Sequence, residues 1–260
     1  MASDLECYKP FVATMERLAG RHTLGTVFSD FLTLATCSLH PQTLLSPGLN
    51  PDPENEAQYL AVAGRYQREE LNKMAELIGL LMLQASSRPY SDLLGDYFTE
   101  HVTRGRNGQF FTPDNICLMM AKMVGGEACE GKTVNDPACG SGRMLLAFAQ
   151  DAPKNHFFAS DVDANCARMA ALNFYLNGMT GEVVQMNTLT LEAWRAWHIN
   201  AGVRGIQPIP LEQALQVPRP ARGKAPGAAQ SPVRVVPALP VATFPFVATP
   251  ASTSGQLSFF

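Results

Sequence analysis

Asn135-Asp-Pro-Ala-Cys-Gly-Ser-Gly142 places two glycines, an acid and a hydroxyl within one short stretch, between a brief β-rich run and a helix-forming one. Lys132-Thr-Val134 is too short for a helix and Arg143-Met-Leu-Leu-Ala-Phe-Ala149 favours one, so the glycines fall at a strand-to-helix turn. Gly140 and Gly142, lacking a Cβ, can take positive φ and let the backbone touch a ligand, while the new helix presents unpaired N–H groups to it. Any α/β protein can put glycines in such a turn. The flanking Asp136-Pro-Ala138-Cys makes this one more specific, and the stretch reads as a cofactor loop.

Two further features share that chemistry. Gly105-Arg-Asn-Gly-Gln-Phe-Phe-Thr-Pro113 is a polar, glycine-bearing loop running into Asp114-Asn-Ile-Cys-Leu-Met-Met-Ala-Lys-Met123. Pro113 suits a first helical turn and Thr112 an N-cap. The loop either delivers its backbone and the Thr112 hydroxyl to one point in space or is an ordinary capped helix with a buried Phe110 or Phe111. Asp161 closes the apolar run His156-Phe-Phe-Ala-Ser160. An acid at the end of a second strand, about 20 residues past the glycines, accepts hydrogen bonds from a ribose in dinucleotide-type βαβ units. Asp161 fits that place better than Asp163, which suits the cap of the next helix. Asn187-Thr188, ending a third strand Glu182–Met186, could meet a base edge.

These residues need a scaffold. Pro10 to Cys37 reads as two helices broken near Gly20 to Gly25, and Ser46 to Pro53 as a loop. Glu54 to Ala85 reads as one or two long helices with Tyr59, Val62, Tyr66, Leu71, Met74, Leu77, Ile78 and Leu81 as the buried stripe. Ser91 can cap a helix through Phe98. Ala164 to Asn177 reads as the helix between the second and third strands. Leu191-Glu-Ala-Trp-Arg-Ala-Trp197 also looks helical, with Trp194 and Trp197 on one face, there to pack or, if exposed, to stack on a base. The expected organisation is α/β: a helical region over 1–104, a partial Rossmann-like core over 105–200, and a Pro/Ala-rich tail over 201–260.

Composition narrows the function classes. The 260 residues are 46% hydrophobic, ample for a core. No basic start leads into an apolar run and no eighteen apolar residues stand together, so neither secretion nor a membrane partner is expected. Six scattered cysteines without a C-x-x-C point to reduced thiols in a cytosol and to no metal site. The net charge is −3, but the chain beyond residue 216 has four basic residues and no acid, leaving about −7 on the part before it. No basic stripe for gripping duplex DNA unaided is visible.

Taken together, Gly-Gln-Phe-Phe-Thr-Pro at 108–113, Asp-Pro-Ala-Cys-Gly-Ser-Gly at 136–142 and Asp161 resemble the N6-adenine DNA methyltransferases, in particular the modification subunits of type I restriction-modification systems. The resemblance covers roughly residues 55–200. It implies that S-adenosyl-L-methionine is the cofactor. Its methionine moiety would be held by Phe111, Thr112 and Pro113 and by the Asp136–Gly142 loop, including Ala138, Gly140 and Ser141, with its ribose on Asp161 and its adenine near Asn187. It also implies methyl transfer to adenine in DNA, with a partner subunit for DNA recognition. A helical domain ahead of the core is similar to the arrangement in those subunits.

The departures are as informative. The family's catalytic tetrapeptide, Asn or Asp followed by Pro-Pro and Tyr or Phe, should lie at the end of a fourth strand shortly after the third, and it is absent. In the family its Asn and a backbone carbonyl accept from the target amine while the aromatic stacks on the flipped base. Thr243-Phe-Pro-Phe246 lacks the Asn and one Pro and lies far past Asn187. No catalytic residue is therefore assigned. Only three strands can be placed before residue 200, which leaves the first strand an open edge that recruits a partner strand, either Val233–Val236 or Val241–Phe244 of the tail or one from another chain. From Val217 the composition turns to Pro, Ala, Gly and Ser, reading as a flexible linker. It ends in Gln256-Leu257-Ser-Phe259-Phe260, similar to the peptides by which bacterial replication and repair proteins dock on the sliding clamp. A catalytically inactive, methyltransferase-derived binding protein is the alternative reading.

Overall fold

Most helices in the first half of the chain begin where a short polar side chain, or Pro113, can satisfy their opening N–H groups. In a computed structural model, which describes residues 6–41, 52–103, 111–125 and 130–217, α1 spans Tyr8–Leu18 and α2 Leu24–Ser38, with Thr23 accepting from the Thr26 amide at 3.2 Å. α3 (Pro53–Ala63) opens with Asp52 accepting from Glu54 and Asn55, and Pro53 standing where no N–H is needed. Glu70 reaches back to the Gln67 amide at 2.7 Å to start α4 (Arg68–Ser87). α5 (Leu93–Tyr97) is capped by Asp92, which accepts from Gly95 at 2.9 Å, so the cap is one residue later than Ser91. A π-helical turn, Phe98–Thr103, follows. α6 (Asp114–Gly125) opens on the Pro113 carbonyl, which accepts from Ile116 and Cys117, so Pro113 rather than Thr112 stands at the cap.

The strands are β1 (Thr133–Asp136), β2 (His156–Asp161), β3 (Thr180–Asn187), β4 (Glu192–Ile199) and β5 (Ile206–Ile209). They form one sheet in that order, β1 to β3 parallel and β3 to β5 antiparallel. α7 (Arg143–Asp151) connects β1 to β2, and α8 (Ala164–Leu176) connects β2 to β3. The α/β expectation is met, and the parallel half is the one that carries the glycine turn.

The last strands depart from the sequence expectation in two ways. Leu191–Trp197 is not a helix. Its Trp-Arg-Ala-Trp-His-Ile run has the aromatic and β-branched content of a strand, and Trp197 pairs with Val183 and Ala196 with Val184. Trp197 is buried and Trp194 42% exposed, and Trp194 lies where the register shifts between the Gln185–Arg195 and Met186–Ala193 pairs. The hairpin was hidden because its loop has no Gly or Pro. Instead Asn187 Oδ1 accepts from Leu189 and Thr190, and Leu191 takes φ +62°. The expected three strands become five, since β5 was masked by Pro208, which an edge strand tolerates. β1 remains an edge, with β2 as its neighbour among the described residues. The tail strands suggested for that edge and the terminal docking peptide lie outside the described residues.

One hydrophobic core joins the helices to the sheet. Phe11 meets Phe31 and Tyr97 edge-on, and Phe28 lies against Tyr97 and Phe98. α8 packs against α2, α4 and α5 and against β2, β3 and β4. Its buried Ala167, Ala170 and Ala171 allow those backbones to come close. β3 shows both sheet faces covered: Val183 belongs to the main core, while Val184 and Met186 pack with Ala196 and Ala214. Residues 211–217 form that second cover. Buried Glu182 holds it by accepting from the Leu215 and Gln216 amides at 2.9 and 3.0 Å.

Gly181 is where the sheet tolerates least. A Cβ there would lie 1.9 Å from the Phe157 carbonyl oxygen. Gly181→Ala is expected to lower stability by about 1–3 kcal/mol through overpacking, read as a lower urea midpoint at unchanged slope.

Candidate functional site

The three parallel strands end together, and their last residues are Asp136, Asp161 and Asn187. Crevices outside the carboxyl ends of parallel strands are where open α/β sheets bind ligands. Immediately after Asp136 the chain makes a tight turn. The Cys139 amide donates to the Ser160 carbonyl at 2.9 Å, and Gly142 donates to the Cys139 carbonyl at 2.8 Å. Gly140 and Gly142 have φ of +55° and +85°, the left-handed region that a Cβ disfavours. α7 starts from Gly142, whose carbonyl accepts from Leu146. The glycine turn thus has the strand-to-helix geometry expected of it.

Asp161 fastens this turn to β2. Its Oδ2 accepts from the Gly140 amide and its Oδ1 from the Asp163 amide, each at 2.9 Å. Asp163 caps α8 through Asn165 and Cys166, which separates the two acids as the sequence suggested. Burial raises the Asp161 carboxyl above the ordinary range, against the lowering effect of the two amides. Burial also raises Asp136, whose Oδ1 accepts from Ala138.

Phe111 closes the turn from the other side. Its ring stands edge-on to Phe98 at 5.8 Å and lies so near Gly140 that a Cβ there would meet Cε1 at 2.6 Å. A cleft of about 170 Å³ results, lined by residues that include Phe111, Thr112, Asp136, Ala138, Gly140 and Met144. Pro113 is exposed at its margin as the first residue of the α6 entry.

Two candidates have their side-chain oxygens engaged by other partners. Ser141 is fully buried and its hydroxyl donates to Asp92, so it faces the helical layer and contributes only backbone to the turn. Asn187 has its Oδ1 engaged in the β3–β4 loop, although Thr188 beside it donates to the Pro137 carbonyl at 3.2 Å and holds that loop against the turn. Three exposed apolar side chains flank the strand ends and were not singled out from the sequence: Val162, Leu189 and Leu191. The signal for Val162 was its place directly after Asp161. Cys139 is buried and its thiol pushed up by burial and by the neighbouring acids, and burial pushes Cys117 up to about 11; neither is a ready nucleophile. Among the described residues no group of acids, histidines and cysteines could hold a metal, and no helix is long and apolar enough to cross a membrane.

Comparison with known proteins points the same way. Residues 87–201 match the family model for N-6 DNA methylases. The chain is similar to a type I restriction enzyme methylase subunit of Methanocaldococcus jannaschii, 30% identical over 124 residues, 44% of this chain and 21% of that protein. It is also similar to one of Mycoplasma pneumoniae, 23% identical over 146 residues, 51% of this chain and 27% of that protein. The chain therefore spans about a quarter of the length of these relatives. A solved Listeria monocytogenes protein assigned to the class I S-adenosylmethionine-dependent methyltransferases covers 68% of this chain and is itself covered by half, at 17% identity and a TM-score of 0.35, too remote to support a conclusion. With the glycine turn, Phe111 and Asp161 inside the matched region, residues 87–201 are similar to the N-6 DNA methylases and to the methylase subunits of type I restriction enzymes.

Proposed function

We propose that this chain binds S-adenosyl-L-methionine at the Asp136–Gly142 turn and serves methyl transfer to adenine N6 in DNA, with a partner subunit recognising the DNA. The observation that carries the proposal is the joining of Gly140 to Asp161 beneath Phe111, inside the family match. The residues suit that cofactor. Left-handed glycines let the backbone approach a polar chain, Asp161 keeps lone pairs for ribose hydroxyls, and Val162 offers an apolar surface for a base. When bound, the cofactor supplies an electrophilic methyl group. Phe111, Thr112, Asp136 and Gly140 would hold its amino-acid end and Asp161 its ribose.

A second reading, an inactive binding protein, is favoured by a specific observation. After β3 the chain turns back into the antiparallel β4 and β5, away from the β1 edge, and through residue 217 it brings no Asn/Asp-Pro-Pro-Tyr/Phe to the turn. The two readings separate in one pair of measurements: calorimetric titration with the cofactor, then labelled-methyl transfer to mixed-sequence DNA with and without the host's partner subunits. Transfer supports the enzyme, and binding without transfer under every condition supports the binder. In either case Gln256, Leu257, Phe259 and Phe260 are proposed to dock on a sliding clamp in the cytosol. Deleting residues 256–260 is expected to abolish clamp pull-down, and unchanged capture would remove that role.

Cofactor affinity is expected to depend on pH through Asp161. Ribose hydroxyls donate to the ionised carboxylate, so binding is full above its raised pKa and falls as pH drops through it. The loss should begin at higher pH than an ordinary aspartate near 3.8 would give. Titrations at a series of pH values check this, and an affinity flat down to the ordinary carboxylate range would exclude Asp161 as the acceptor.

A further inference from the structure

A buried polar node lies directly behind the glycine turn. Asp92, at the entry to α5, is 5% exposed and receives donors from four places. Oδ1 accepts from the Gly95 amide and from Asn173 Nδ2, both at 2.9 Å. Oδ2 accepts from Arg143 Nε at 2.8 Å and from the Ser141 hydroxyl. Asn173, on α8, also donates to the Ser141 backbone carbonyl at 2.9 Å. One carboxylate therefore ties the last helix of the N-terminal layer to the turn, to the first residue of α7 and to α8. Arg143 extends the node to Asp96 at 2.6 Å and Asp114 at 3.3 Å. The node has no spare room: a Cβ on Gly95 would meet Asp92 Oδ2 at 2.1 Å and the Ser141 oxygen at 2.6 Å.

Physical economy makes this arrangement informative. A helix-capping aspartate needs only backbone donors, and this one turns its second oxygen to two side chains, Ser141 of the turn and Arg143 at the start of α7. Ser141 is flanked by Gly140 and Gly142, the two residues least able to hold a conformation by themselves. Something outside the turn must hold Ser141, and its hydroxyl and carbonyl are both taken, by Asp92 and Asn173 respectively.

We infer that Asp92 is a positioning residue for the cofactor site: the N-terminal helical layer, acting through Asp92 and Asn173, holds Ser141 and so sets the backbone geometry of Gly140 and Gly142. The inference rests on the reading of the turn as a cofactor loop. It makes the helical layer part of the site, although no described residue before Phe111 lines the cleft.

The test uses the full chain and S-adenosyl-L-homocysteine as probe, with Asp92→Asn, Ser141→Ala, the double variant, and Leu94→Ala. Leu94 is fully buried on the same helix and belongs to the core. Asp92→Asn is expected to weaken binding roughly ten- to hundred-fold, the usual scale for groups that orient others at a site. The double variant should bind no worse than Asp92→Asn alone, since both changes release the same serine. Leu94→Ala should match the loss of melting temperature but keep the affinity. Amide exchange at Gly140 and Gly142 should speed up in Asp92→Asn and not in Leu94→Ala. Wild-type affinity in Asp92→Asn, or an equal loss in Leu94→Ala, overturns the inference. If the wild-type chain does not bind the probe, the cofactor reading fails, and the exchange rates alone decide whether Asp92 holds the turn.

Discussion

Gly140→Val is expected to abolish binding of S-adenosyl-L-methionine, a loss of more than about a hundred-fold or 2.7 kcal/mol, while the chain stays folded. Two effects add at this position. The residue sits at φ +55°, where a side chain costs roughly 1–2 kcal/mol and a β-branched one more. The Cβ would also lie 2.6 Å from Phe111 Cε1 and 3.0 Å from Cδ1. Relief requires either that Phe111 swing off the cleft or that the turn release the Gly140 amide from Asp161, and each removes a wall of the site. Gly131→Ala is the matching control. It carries the same kind of strain, at φ +66°, but its Cβ would meet nothing within 4 Å and it precedes β1 at the opposite end from the turn. It should lose stability and keep affinity. Calorimetry on the three proteins, with circular dichroism to confirm folding, checks the contrast, and Gly140→Val binding as the wild type does would remove the turn from the cofactor site.

How much of this could be read from the chain follows from the range of the interactions involved. The glycine turn, β2 with its terminal acid, the Asp163 cap and α8 depend on residues a few positions apart, and all four stand where the sequence placed them. The failures arise where a distant partner decides. Leu191–Trp197 has a helix-compatible start, and pairing with β3 overrides it. The family resemblance places Ser141 among the cofactor contacts, yet the direction of its side chain is set by Asp92, 49 positions away. Asn187 does end the third strand, and what the sequence hides there is local: the loop it caps is closed by bonds that lack the usual Gly or Pro signature. The sequence puts the cap of that helix on Ser91, and nothing in the neighbourhood of Asp92 announces Ser141, Arg143 or Asn173 as its partners.

Asp161 carries both kinds of role, local and long-range. Both of its oxygens already accept a backbone N–H, so it organises the turn and the entry to α8 even before a ribose arrives. Asp161→Ala removes these acceptors together with the charge. With hydrogen bonds to charged groups at about 1.5–3 kcal/mol each, affinity should fall by about a hundred-fold or more. Asp161→Asn distinguishes the roles. An amide keeps one acceptor, but its NH2 must then face either Gly140 N–H or Asp163 N–H, two donors with no lone pair between them. If Asp161 served the ribose alone, Asn would recover part of the affinity. Because it also holds Gly140, Asn is expected to bind nearly as weakly as Ala. A 2′-deoxyribose analogue of the cofactor supplies the remaining comparison. It should bind the wild type less well than the natural cofactor and show a smaller loss on going to Asp161→Ala, the residual loss being the part due to the turn. An analogue that loses as much as the natural cofactor would take the ribose away from Asp161 and leave it only the holding of Gly140.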